Sequence, residues 1–225
     1  MQLNQNSPLN RYEWTGKKID EIVNYRLKTK QVTLFDVGSR DNVLKKYITS
    51  PEVVYKAFDL DPLDASAEQW DIENPFPYAH SAPQIVTMLE IIEHLNNPWL
   101  SMKNVAETIE SGGYLILTTP NPAWSNSRLD LLRKGFLTCF TQSDLDLNHH
   151  VFTAWPHVIE KLLHDNNFEI IEYSTLDGNT LLFDKNLGGL AAPVQLVFRM
   201  IKKSIEAKNP ASCGMSYGII AKRIG

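Results

Sequence analysis

The sequence predicts an α/β fold, a doubly wound and mostly parallel sheet. Two observations carry that expectation. Between Val32 and Pro120, β-rich apolar runs alternate with segments of helical periodicity, the pattern of strand-helix-strand winding. Several of those runs are apolar without alternation, as strands covered on both faces are.

Residues 1–30 read as an N-terminal helical extension, polar and Asn-rich at first. Over GKKIDEIVNYRLKTK, the spacing of Ile19, Ile22, Val23 and Arg26 predicts an amphipathic helix lying on the body. QVTLFDV is a strand. RDNVLKKYI has helical periodicity and stops before Ser50-Pro51, because proline disfavours helix at the residue preceding it. EVVYKAF is a second strand, ending at Asp59. DPLDASAEQWDIENPFPY, interrupted by Pro62, Pro75 and Pro77, has room only for a stub of helix and a brief strand near Gln69 to Ile72.

QIVTMLE is a further strand, and Pro98 to Glu110 a helix whose proline suits its first turn. Ser111-Gly112-Gly113 ends that helix, and YLILTT is a strand closed by Pro120-Asn121-Pro122. From Ala123 to Asn148 the periodicity weakens, where an insertion over a ligand crevice would sit; residues 123–150 are therefore expected to be acceptor-side. TAWPHVIEKLLHDNN and FEIIEYSTL resume helix and strand. Residues 177–214 read as a C-terminal decoration containing the helix VQLVFRMIKKSIEAK, and YGIIAKR is the last strand, the seventh. The apolar stripe of that helix is expected to face a core, although Arg199, Lys202 and Lys203 beside it would also suit a membrane surface.

At 225 residues, 43% hydrophobic and 21% charged, the chain is expected to form one domain. Its formal net charge of −4 argues against a sequence-independent nucleic-acid binder, which depends on global attraction to phosphates. Cys139 and Cys213 fit neither a disulfide framework nor a thiolate zinc site, so two reduced thiols in a cytoplasmic protein are expected. The N-terminus has no apolar core of a leader peptide, and no run of about 18 apolar residues suggests a transmembrane helix. Oligomeric state is left open.

In an open parallel sheet, ligands bind beyond the carboxyl ends of the strands. Four such ends turn polar here: Asp36 to Asp41, Asp59 to Asp61, Leu89 to His94 and Thr118 to Asn121. A carboxylate at the end of the second strand suits the paired hydroxyls of a ribose, although Asp59 would equally cap the next turn. The first loop offers Asp36 and Asp41 with one arginine and one glycine, so a cofactor carrying ammonium and sulfonium charges fits better than a phosphate-bearing one.

LFDVGSRDN, AFDLDP, WDIENPFPY, IVTMLEIIEHL and ESGGYLILTTPNP occur in the order seen in class I S-adenosylmethionine-dependent methyltransferases. From about Thr33 to Phe168 the chain resembles that family, most closely the branch that includes the ubiquinone-biosynthesis O-methyltransferases. The resemblance implies a seven-stranded Rossmann-like sheet with a reduced second helix and an antiparallel C-terminal strand. It also implies S-adenosylmethionine as cofactor and S-adenosylhomocysteine as product. Asp36, Gly38 and Ser39 then match the loop around the methionine part, and Asp59 the ribose-binding acid. By the same resemblance Leu60 matches the residue that packs on adenine, Asp71 and Ile72 the pair that meets the adenine edge, and Leu89 and Glu90 follow the strand that floors the site. The family writes further glycines where this chain has Arg40 and Asn42, of which arginine less readily adopts a left-handed backbone.

Methyl transfer to a hydroxyl needs alignment and a base, and His94 and His150 are the expected catalytic residues, with His149 beside the latter. Trp124, Phe136 and Phe140 would line the acceptor side. No metal is required. Yet Glu90, Glu93 and His94, completed by His149 or His150, resemble the metal set of RNA-end 2′-O-methyltransferases, and the three proximal residues that of ubiquinone O-methyltransferases. The expected activity is methylation of a small molecule, on oxygen. The alternatives are a metal-dependent RNA-end 2′-O-methyltransferase and a non-catalytic module with a degenerate cofactor loop.

Overall fold

The computed structural model describes residues 1–178 and 192–225; residues 179–191, part of the expected C-terminal decoration, lie outside the described residues. One sheet organises the chain. Its strands are β1 (Gln5–Asn6), β2 (Val32–Val37), β3 (Val53–Asp59), β4 (Glu68–Gln69), β5 (Ile85–Leu89), β6 (Tyr114–Pro120), β7 (Phe168–Leu176) and β8 (Ser216–Arg223). They lie in the order β1-β7-β8-β6-β5-β2-β3-β4. The stretch from β4 to β6 is parallel, and β8 runs antiparallel to both β6 and β7. Seven strands match the expected sheet, and β1 adds an eighth along the outer edge of β7. Short polar segments leave little sequence signal for such pairing. Here Asn4 and Ser7 each donate a backbone N–H to β7, and the Asn4 side chain accepts from Tyr173 N.

The helices are α1 (Arg11–Glu21), α2 (Pro98–Thr108), α3 (Ser125–Lys134), α4 (Gln142–Asn148), α5 (Pro156–Asp165) and α6 (Ala192–Lys208). α1 starts earlier than its apolar spacing suggests, because Asn10 and Glu13 form a reciprocal capping box at its first turn. A π-helical segment, Ile22–Leu27, continues it. The helix expected over RDNVLKKYI is only a 3-10 turn, Val43–Tyr47: left-handed Arg40 and Asn42 delay its start, and the chain is extended by Ile48. Among the described residues, none between β3 and β4 is helical, so the expected stub of helix is absent; Pro62 and the turns that follow it fill the eight residues between the strands. The weakly patterned 123–148 segment holds α3 and α4; α3 packs on α6 rather than on the sheet, so the sheet imposes no deep apolar stripe on it.

Strand β2 shows why its sequence is continuously apolar. Val32 and Leu34 face a core with Trp14, Ile19 and Ile22, while Phe35 and Val37 face the opposite core with Met102, Ile159 and Leu162. Each such fully buried side chain is worth about 1.5–3 kcal/mol. α1 thus covers one face and α2 with α5 the other. Gly16 lets α1 approach closely, since a Cβ there would lie 2.3 Å from the Tyr47 carbonyl oxygen. The core therefore fixes the N-terminus of α1 relative to the loop after β2.

Candidate functional site

The chain begins its winding at β2, moves outward to β3 and β4, then returns to β5 beside β2. That reversal opens a crevice at the carboxyl ends of β2 and β5. Two adjoining cavities fill it, of about 970 Å³ and about 340 Å³. Gly38, Asp59, Ile91 and His94 border both.

The loop after β2 works with a single glycine. Gly38 has φ 73°, and a Cβ there would lie 2.0 Å from Ile91 Cδ1, so backbone and packing both demand glycine. The close approach it permits is that of Ile91, the side chain that stands between the two cavities. Arg40 (φ 47°) and Asn42 (φ 58°) adopt the left-handed conformation despite not being glycine. Asp59 compensates at the first: its Oδ2 accepts the Arg40 backbone N–H at 2.8 Å, and its Oδ1 accepts that of Asp61 at 3.0 Å. Asp59 is therefore a cap as well as a crevice residue, with one lone pair left on each oxygen. The Arg40 side chain is exposed at the rim of the larger cavity.

Register places Asp36 opposite Thr87 of β5, and Thr87 Oγ1 donates to its Oδ1 at 2.6 Å. The Tyr55 hydroxyl donates to its other oxygen. Burial outweighs these two bonds and pushes the Asp36 carboxyl up to about 6. Glu90, directly after β5, is half-buried with φ 56°, and one of its carboxyl oxygens is shielded from solvent without a partner among the described residues. Such backbone geometry costs on the order of 1–3 kcal/mol and tends to occur where function requires it. Glu93, one turn on, is buried; Thr119 Oγ1 donates to one oxygen at 3.0 Å and the other has no partner among the described residues. Burial pushes both glutamates up, with the charge of Arg11 opposing this at Glu90 and the charge of Glu90 adding to it at Glu93.

His94 and His150, 56 positions apart in sequence, meet edge to face with ring centroids 4.7 Å apart. Nδ1 of His94 lies 2.6 Å from the Asn148 carbonyl oxygen, and Nδ1 of His150 lies 2.5 Å from that of Cys139. A carbonyl can only accept, so each neutral ring carries its proton on Nδ1 and its lone pair on Nε2. Burial lowers the pKa of His94, opposed by the carbonyls of Asn148 and Glu90. The Glu93 carbonyl accepts the backbone N–H groups of Val151 and Phe152, both at 3.0 Å, which ties the segment bearing His150 to the turn bearing His94. Ligand atoms of Glu93, His94 and His150 lie within 4.8 Å of one another. Glu90 and His149 are outside that trio.

Asp36, Gly38, Ser39, Asp59, Leu89, Glu90, His94 and His150 all border the larger cavity. Leu60, Asp71 and Ile72 border the smaller one with Asp59. The expected aromatic wall differs. Trp124 is buried and Phe136 exposed, and neither they nor Phe140 are among the residues bordering the larger cavity; the 123–150 segment contributes Cys139, Leu147, Asn148 and His150 instead. Phe140 acts one step back, 5.9 Å from the His150 ring. Burial pushes the Cys139 thiol up to about 11, which leaves it unreactive near neutrality. Sequence reading passed over Arg11 and Tyr12, which enter the cavity from the first turn of α1, and Met215 and Ser216 from the far strand. The Asn10-x-x-Glu13 cap was the available signal for the former pair.

A family described as "Methyltransferase domain" matches residues 12–173, and the chain belongs to it. No curated protein matches the sequence. Among solved structures, the chain is similar to a SAM-dependent methyltransferase from Archaeoglobus fulgidus, at 15% identity and TM-score 0.61 over 95% of each chain. It is similar to the plantazolicin methyltransferase BpumL, solved with a triazolic desmethylPZN analogue and SAH, at 11% identity and TM-score 0.59 over 95% of this chain and 85% of that one. It is also similar to the [4+2]-cyclase SpnF, at 13% identity and TM-score 0.54, covering 93% and 81%. The last shares the architecture under the name of a different chemistry, so these likenesses speak to fold. Family membership makes the chain an S-adenosylmethionine-dependent methyltransferase. The crevice fits that cofactor. Buried Ser39 Oγ and a Glu90 oxygen have no partner among the described residues, acidic groups dominate where ammonium and sulfonium charge would lie, and two linked cavities can take its two ends.

Proposed function

We propose that this enzyme methylates a hydroxyl group of a small molecule. The observation that carries the reading is His150: its proton is fixed on Nδ1 by the Cys139 carbonyl, and it borders the larger cavity beside His94. A neutral amine acceptor already has its lone pair, whereas a hydroxyl benefits from a base as the bond to methyl forms. We assign that base to Nε2 of His150. His94, with carbonyls acting on it from Asn148 and Glu90, orients the pair.

When bound, S-adenosylmethionine supplies an electrophilic methyl group. The chain's own residues then hold and align the two ends. Asp59 would use its remaining lone pairs on the ribose hydroxyls, Leu60 would pack on the adenine, and Asp71 and Ile72 would meet its edge. Asp36, Gly38 and Ser39 would hold the amino-acid part above Leu89 and Glu90. Arg11 would supply the counter-charge to a carboxylate on the cofactor or its product. Residues 123–150 close the acceptor side, and proximity between the aligned methyl and hydroxyl does most of the work. The E-x-x-E-H string, Glu90 to His94, supports placing the chain near the branch of the ubiquinone-biosynthesis O-methyltransferases.

A second reading has its own support in the trio of Glu93, His94 and His150, whose spacing would suit a divalent cation. Two measurements test the cofactor assignment and separate the two readings. Calorimetry with S-adenosylhomocysteine should show binding in the micromolar range, and none at high micromolar concentration would sink the cofactor assignment. Equilibrium dialysis of the same complex against magnesium and manganese should show neither ion retained. Retention lost in His150→Gln would convert the base into a ligand.

A further inference from the structure

We propose that the face formed by α3 and α6 docks this enzyme onto the surface of an anionic lipid bilayer. α6 is amphipathic in the inverted sense. Leu196, Val197, Met200 and Ile201 share one side of the helix and are 60%, 55%, 63% and 42% exposed. The side turned to the body mixes half-buried Phe198 and Ile205 with polar groups: Gln195 is buried, and Ser125 Oγ of α3 donates to Glu206, which also pairs with Lys202. α3 adds Leu132, 82% exposed, and the Arg133 guanidinium lies over the Phe198 ring at 5.7 Å, joining the two helices.

Charge selects the occupant. α3 and α6 together carry seven Lys and Arg against two Asp and Glu, in a chain whose formal net charge is −4. Exposed Lys203 and Lys208 flank the apolar side chains of α6. A basic helix with outward apolar side chains is the composition that lies in the headgroup layer of an anionic membrane. A second copy of the chain would bring the same excess of positive charge against itself. A nucleic acid would leave the leucines and Met200 without apolar partners. Among the described residues no helix is long and apolar enough to cross a membrane, so the contact is one of lying on the surface. The inference is independent of which acceptor the enzyme methylates.

The test is flotation of the full chain with vesicles of phosphatidylcholine containing about a quarter phosphatidylglycerol, compared with pure phosphatidylcholine. Partition should be at least about tenfold higher on the anionic vesicles and fall at high salt. L196Q/M200Q and, separately, K203E/K208E should each lower it by about tenfold. Both pairs lie outside the crevice, so S-adenosylhomocysteine binding should be retained and certifies the fold. No flotation of the wild type, equal partition into neutral vesicles, or L196Q/M200Q floating like the wild type would each overturn the proposal. So would a dimer in sedimentation that L196Q/M200Q dissolves without any vesicle binding, or salt-sensitive RNA binding in place of flotation.

Discussion

Asp36 is the residue whose environment most directly predicts behaviour in solution. Its ordinary value of 3.8 rises to about 6 through burial, so the neutral form is the better tolerated one in the folded chain. The stability it contributes is fully present below its ordinary value and is lost as pH rises through about 6. A cationic cofactor reverses the preference, because it favours the ionised carboxylate. Affinity for S-adenosylmethionine should therefore increase as pH rises through about 6, with release of a proton at the low end. Calorimetry in buffers of different ionisation enthalpy would read that proton, and an unchanged dependence in Asp36→Asn would remove Asp36 as its source. At the acceptor end, His150→Gln should lower kcat by about 10²–10⁴-fold with cofactor affinity unaltered. Normal turnover would reject the base. His94 was legible as a candidate because it closes a polar strand end and His150 because it lies in the weakly patterned 123–150 segment, whereas their edge-to-face contact depends on the Glu93 carbonyl tie, which no spacing encodes.

Among the elements, α1 couples stability to the site. Gly16→Ala would gain roughly 1 kcal/mol in helix propensity. Against this, the added Cβ would sit 2.3 Å from the Tyr47 carbonyl oxygen, a backbone atom of the 3-10 turn that cannot rotate away. The collision should win, with a net loss of about 1–3 kcal/mol in urea unfolding. Because α1 carries Arg11 and Tyr12 into the larger cavity, weaker cofactor binding should accompany that loss. An alanine variant as stable as the wild type would mean that α1 moves freely against the turn. This dependence was hidden in the sequence: Gly16 sits inside a helical pattern as an ordinary helix-weakening residue, and its partner lies 31 positions away. The 3-10 turn itself was overread as a full helix, since Val43, Leu44 and Tyr47 have helical spacing but the left-handed residues before them shorten it.

At the scale of the whole molecule, the parallel core was readable because double burial leaves an unmistakable mark on the strands: every residue of β5 and β6 is buried. The strand-end residues that border the crevice were readable for the same reason, since polar residues that interrupt such runs have few places to go but the strand ends. The acceptor side was not. The part of its wall drawn from residues 123–150 comes from Cys139, Leu147, Asn148 and His150, in loops and at the end of a short helix, where composition is constrained by capping and local turns rather than by a period. Both lateral edges of the sheet end in strands of two residues, Gln5–Asn6 and Glu68–Gln69, all four of them polar. A growing fibril or a misfolded neighbour needs a long, flat, apolar edge to recruit a chain. Here the fully apolar strands sit in the interior of the sheet and the borders are too short and too hydrophilic to serve as templates, so the same β-rich runs that build the core are kept from propagating beyond it.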